Sequence, residues 1–131
     1  MTERELCKIA IKQMKNAYSP YSNFKVGAAL LTESGKVFGG CNIENSAFSA
    51  TVCAERTAIF KAVSEGEKKF EAIAICGGEN GNIKGICTPC GVCRQVLSEF
   101  CTKDFKVILV SSSDEYKIYT LEELLPFAFE L

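Results

Sequence analysis

Histidine is absent from the 131 residues, tryptophan is absent too, and proline occurs only three times. Without an imidazole no Ser-His or Cys-His pair can be built, and any metal must be held by thiolates or carboxylates. Missing as well is an excess of charge. Fifteen basic residues against 16 acidic ones leave a net −1, which gives no electrostatic pull towards a nucleic-acid backbone or an anionic membrane. No apolar run approaches the ~18 to 20 residues that span a bilayer. The start, Met1-Thr2-Glu3-Arg4-Glu5, is too polar for a secretory signal. A cytoplasmic protein with a small-molecule partner, and with neither nucleic acid nor membrane as a partner, is the expectation.

What is present suits a soluble globular chain: 47% hydrophobic and 24% charged residues. The length fits a single domain over residues 1–131, and no repeat or Pro/Gly/Ser linker divides it. Cysteine is abundant, at eight residues. Cys87, Cys90 and Cys93 stand too close to form several unstrained bridges with one another. In a reducing compartment such clustering reads as metal binding or catalysis.

Periodicity gives the elements. Thr2 and Glu5 have capping-box spacing, and Leu6, Ile9, Ala10, Met14 and Ala17 recur at three and four residues, which predicts an amphipathic helix ending before Ser19-Pro20. Val26 to Leu31 and Lys36 to Cys41 read as a β-hairpin turning at Gly35, followed by a polar loop from Asn42 to Thr51. A second helix runs from about Val52 to Ser64 and closes at Gly66. Phe70 to Cys76 is a buried strand, ended in a long turn by Gly77-Gly78 followed by Asn80-Gly81, and Pro89 opens a third helix from Cys90 to Phe100. Val107 to Val110 and Lys117 to Tyr119 are further strands, and Thr120 with Glu123 caps a last short helix. The order αββαβαββα defines an α/β architecture.

Cys90-Gly91-Val92-Cys93 places two thiols on the first turn of the third helix, where unpaired N–H groups and the helix dipole should lower both thiol pKa values. Cys53 begins the second helix by the same logic. Two helix N-termini pointing at one ion would supply three thiolates and leave a fourth tetrahedral position open, which is the pattern of a catalytic zinc. Glu55 follows Cys53 by two residues and can flank whatever lies beyond the helix end. A carboxylate there can take a proton from water activated by the metal and return it to substrate. Three thiolates and one Zn²⁺ leave a net −1, which Arg56 or the helix dipoles would offset.

Cys53-Ala54-Glu55 followed by Pro89-Cys90-Gly91-Val92-Cys93 is the three-cysteine form of the zinc deaminase signature. Over nearly its whole length the chain resembles the small homotetrameric cytidine deaminases. The matching segments are Ala17 to Gly27 (AYSPYSNFKVG), Asn42-Ile43-Glu44-Asn45, Cys53 to Arg56 and Pro89 to Gln95. The resemblance implies a three-layer α/β/α fold around a central mixed sheet of about five strands. It implies one Zn²⁺ held by Cys53, Cys90 and Cys93, with Glu55 carrying protons to the pyrimidine N3 and to the leaving amine. Cytidine and 2′-deoxycytidine would be hydrolysed at C4 to uridine and 2′-deoxyuridine with release of ammonia, a reaction of pyrimidine salvage. By the same resemblance Asn42 and Glu44 grip the sugar, Phe24 lines the base pocket and the Ala54 N–H meets the base carbonyl. A C-terminal aromatic from a neighbouring subunit closes the site, Phe129 being the best match and Phe127 the second. The chain departs from the family at Thr88, where serine is common, and at Phe48, where tyrosine is common.

Blander readings stand beside these. A C-x-x-C also serves structural zinc and redox dithiols, and Cys87-x-x-Cys90-x-x-Cys93 has part of an iron-sulfur spacing, but position 97 is Leu where a fourth cysteine would stand. Cys87 with Cys90 repeats the spacing of Cys90 with Cys93, and Pro89 is what assigns the latter pair to the helix. Cys7, Cys41, Cys76 and Cys101 lie in apolar patterns as small core residues. Arg94 either positions the metal helix or lies at a subunit contact. The rival functions are a blasticidin S type of antibiotic deaminase and a non-catalytic zinc module.

Overall fold

The computed structural model describes residues 1–131. Helix α1 spans Glu3–Gln13 and runs on into a 3-10 turn at Met14–Asn16. Strands β1 (Phe24–Thr32) and β2 (Val37–Cys41) follow, then helix α2 (Ala54–Ser64), strand β3 (Phe70–Glu79) and the two-residue β4 (Asn82–Ile83). Helix α3 (Gly91–Phe100), β5 (Lys106–Val110), β6 (Tyr116–Thr120) and a last helical turn, α4 (Leu121–Leu124), complete the chain. Both capping boxes form: Thr2 and Thr120 accept from the N–H groups of Glu5 and Glu123, whose carboxylates accept from the threonine N–H groups in return.

The strands lie in the order β2-β1-β3-β5-β6, with β4 paired to β3. Only β3 and β5 run parallel, as their connection through α3 requires, and the other pairs are antiparallel. Strand alternation divides the core into two layers. Ala29, Leu31, Ala72, Ala74, Cys76, Ile108 and Val110 face α1, packing on Leu6, Cys7, Ala10 and Met14. Ala28, Leu30, Ile73, Ile75, Val107 and Leu109 face the other way, against Ala54, Ala58, Ile59 and Ala62 of α2 and Leu97 of α3. The result is the three-layer α/β/α fold with a mixed sheet. Both helices that start with cysteine thus lie on the same face of the sheet.

Helix α2 lies close on β2 because Gly40 has no side chain: a Cβ there would stand 2.5 Å from the Ala54 carbonyl oxygen. The Thr57 hydroxyl donates to the Cys41 carbonyl at 3.0 Å and Lys61 Nζ to the Gly39 carbonyl at 2.7 Å, fastening the helix along that strand.

Two sequence expectations are corrected. The turn falls at Asn80-Gly81 as expected, but Gly77-Gly78 does not end β3, which continues to Glu79. Glycine is needed there inside the strand, since a Cβ on Gly78 would stand 1.9 Å from the Asn82 carbonyl oxygen of the returning β4. Pro89 also does not open α3. Cys90 is the N-cap, with extended backbone, and Pro89 precedes it.

Candidate active site

Cys53 and Cys90 are the N-cap residues of α2 and α3, and Cys93 lies in the first turn of α3. Their sulfur atoms all fall within 4.8 Å of one another, and Cys53 Sγ is 3.7 Å from Cys90 Sγ. The Cys93 N–H donates to Cys90 Sγ at 3.4 Å, and Arg56 Nη2 donates to Cys53 Sγ at 3.4 Å. No side chain caps the N-terminus of α2, so the positive end of that helix is left to the cluster. Cys87 stays outside this group of three. It sits in the loop before α3, where its sulfur packs over Gly77 beside Phe24 and Val26.

Cys53 is held down at about 5, first by the hydrogen bond from Cys93 and then by those from Arg56 and Cys90, with burial opposing. Cys93 is pushed up, first by the proton it shares with Cys53, then by burial and by the charge of Glu55. A divalent cation among the three sulfurs would favour the thiolate form of each. The donor set fits zinc: thiolates only, at tetrahedral scale, with one side left for a further ligand.

Glu55, in the first turn of α2, is 3% exposed. Its Oε1 is buried without a hydrogen-bond partner. Burial pushes its carboxyl up to about 7, and the negative charge of Cys53 adds to the effect. Such a carboxyl, poised near neutrality beside a metal-binding cluster, can both take and give a proton.

The residues expected to hold substrate gather at the adjoining loops. Tyr18 and Val52 clasp Ile43 from either side: the Glu44 N–H donates to the Tyr18 carbonyl at 2.8 Å, and Ile43 and Val52 exchange main-chain bonds at 3.0 Å. Asn42 is buried, its Oδ1 accepting from the Val26 N–H at 2.9 Å and its Nδ2 donating to the Phe24 carbonyl at 2.8 Å. Glu44 Oε1 accepts from the N–H groups of Tyr21 and Ser22 at 3.0 and 3.1 Å, and its Oε2 accepts from the Ser22 hydroxyl. Phe24 opens β1 and is 39% exposed, so it is not a core residue.

Phe129 is not brought to the cluster of its own chain. It lies beside Gln95, Ser98 and Glu99, on the face of α3 turned away from Cys93, with its carbonyl held by Gln95 Nε2 at 3.1 Å. Its side chain is 67% exposed, and that of Phe127 is fully exposed.

Sequence reasoning gave Ser22 no role and left that of Arg94 open. Arg94 Nε donates to the Pro89 carbonyl at 2.8 Å and Nη1 to the Leu124 carbonyl at 2.7 Å, bracing the turn that presents Cys90. The signal for Ser22 was its place in the turn-forming run Ser19-Pro20-Tyr21-Ser22-Asn23, where a hydroxyl commonly bonds nearby main chain.

The family described as the cytidine and deoxycytidylate deaminase zinc-binding region matches residues 1–109, and the chain belongs to it. A cytidine deaminase of Sporosarcina psychrophila is 50% identical over 118 residues, 90% of this chain and 84% of that protein. The crystal structure of cytidine deaminase from Burkholderia pseudomallei matches with a TM-score of 0.90 at 44% identity, covering 98% of this chain and 100% of that one. A blasticidin-S deaminase of Bacillus cereus is more distant, 31% identical over 129 residues, 95% of this chain and 90% of that protein.

Proposed function

We propose that the chain, as one domain over residues 1–131, is a zinc-dependent cytidine deaminase. It hydrolyses cytidine and 2′-deoxycytidine to uridine and 2′-deoxyuridine with release of ammonia, the chemistry of pyrimidine salvage. The observation that carries this reading is the buried, unpartnered Glu55 Oε1 beside three converging sulfurs. A carboxylate oxygen without a protein partner in such a place is costly for stability and useful for proton transfer.

Cys53, Cys90 and Cys93 would hold the zinc, which when bound supplies Lewis acidity that makes water a nucleophile near neutral pH. Glu55 takes a proton from the attacking water, gives it to N3 of the pyrimidine, and carries a second proton to the amine leaving C4. Water and cytidine thereby become uridine and ammonia. The first N–H of α2, at Ala54, meets the base carbonyl, the Phe24 ring lies along the base, and Asn42 with Glu44 binds the sugar. Arg56, on the Cys53 sulfur, offsets the negative charge of three thiolates.

A homotetramer in the cytoplasm, with Phe129 of a neighbouring subunit closing each site, completes the proposal. Its support is the position of the tail. The exposed rings of Phe127 and Phe129 have no use in their own chain's cluster and are free to enter another's.

The test is ammonia release from cytidine by metal-quantified protein, beside Glu55→Ala. The wild type should turn over, the variant should lose on the order of 10² to 10⁴ in rate, and both should carry about one zinc per chain. A folded, zinc-replete wild type without turnover would send the assignment to antibiotic substrates or to a structural metal.

A further inference from the structure

Glu44 and Asn42 are already engaged by their own chain. A carboxylate offers about four acceptor positions. Three of those on Glu44 are filled: Oε1 by the Tyr21 and Ser22 N–H groups, and Oε2 by the Ser22 hydroxyl. Asn42 spends one acceptor position on the Val26 N–H and one donor on the Phe24 carbonyl. What remains is one acceptor position on Glu44 Oε2, and one acceptor and one donor on Asn42. A secondary hydroxyl, donating to Glu44 and accepting from Asn42, fits that remainder.

Ser22 decides the polarity. The Phe24 N–H donates to Ser22 Oγ at 3.0 Å, so the serine oxygen is already an acceptor there and its own hydrogen is directed to Glu44. The Ser22 N–H binds the other carboxylate oxygen, so main chain and side chain of one residue hold both oxygens. The turn is set by Asn23, at φ 59, whose N–H returns to the Ser19 carbonyl at 2.9 Å. The positive φ falls on a residue type that tolerates it.

We propose that Ser22 is a positioning residue for sugar recognition, its hydroxyl orienting Glu44 so that a single acceptor position faces the substrate hydroxyl. The inference rests on the nucleoside reading given above. It assigns Ser22 no contact with the reacting atoms. The low pKa of Glu44, due first to the Ser22 hydroxyl, accords with it, because the carboxylate remains charged and accepting.

Steady-state kinetics of Ser22→Ala and Ser22→Thr with cytidine and with 2′,3′-dideoxycytidine, which lacks both secondary hydroxyls, test it. Ser22→Ala should raise KM for cytidine about tenfold, the effect of one lost hydrogen bond to a charged group, with kcat moving much less. Ser22→Thr, on this exposed turn, should restore KM. The dideoxy substrate should not distinguish the variants, and in a Glu44→Gln background Ser22→Ala should add nothing. An unchanged KM, equal losses on both substrates, or no rescue by threonine would overturn the role of Ser22 alone. Absence of cytidine turnover by the zinc-replete wild type would overturn the nucleoside reading, and this inference with it.

Discussion

Arg56 Nη2 donates to Cys53 Sγ at 3.4 Å across the first turn of α2, joining the guanidinium to the sulfur at the end of the same helix. The bond places a permanent positive charge next to a ligand set of three potential anions. Replacing it by a neutral side chain, Arg56→Gln, should weaken metal retention and lower kcat by on the order of 10- to 100-fold, as losses of groups that support metal ligands do. Zinc content after dialysis against a chelator, measured together with kcat, checks this. Full retention of both would show that the helix ends alone balance the thiolates.

Two carboxylates of the site are displaced in opposite directions, which separates their effects with pH. Glu44 is lowered below 4.5 by its hydrogen bonds, so it stays ionised as pH falls to that value. Glu55 is raised to about 7, so its carboxylate form is lost as pH falls through that region. A bound dication nearby draws the Glu55 value down from there. The base in the reaction is the carboxylate. Turnover should therefore fall on the acid side with an apparent pKa no higher than about 7, while KM for cytidine stays level over the pH range above 4.5. A KM that rises in step with the loss of kcat would contradict the division of labour between the two residues.

Gly40 fixes how near α2 can come to the sheet. Gly40→Ala sets a methyl group 2.5 Å from the Ala54 carbonyl oxygen and 2.7 Å from the Ala58 nitrogen, both main-chain atoms that do not yield without moving the helix. The overpacking should cost ~1 to 3 kcal/mol and shift Cys53 away from Cys90 and Cys93. Thermal unfolding and zinc stoichiometry should then fall together. A variant that melts as the wild type does and keeps its zinc would show that α2 rests on the sheet less rigidly than this contact requires.

The architecture was legible where a local pattern has a single structural solution. Two capping boxes marked helix starts, and the unbroken apolar runs Ile73 to Cys76 and Val107 to Val110 marked strands buried on both faces. The reading failed at Gly77-Gly78, because turn chemistry and close backbone approach choose the same residue. It failed at Pro89 because proline suits both the first helical turn and the residue before the cap. The sulfur cluster was legible from spacing and the deaminase pattern. Its dimensions were not, since they depend on distances between α2 and α3 that no spacing along the chain supplies. Nor could Asn42 and Glu44 be known to be tied to Tyr21, Ser22, Phe24 and Val26, for those bonds arise only when β1 and the loop after β2 come together.

Cys53 and Cys90 are separated by 37 residues, with the whole of β3 between them. What brings the sulfurs together is the packing of α2 on β2 and the crossover through α3 that sets β5 beside β3. In small zinc domains the ligands lie close in sequence and the ion organises the fold from the outset. Here the ion would close a long loop between two helices that a sheet already positions, and act as a clasp across the fold rather than as its nucleus.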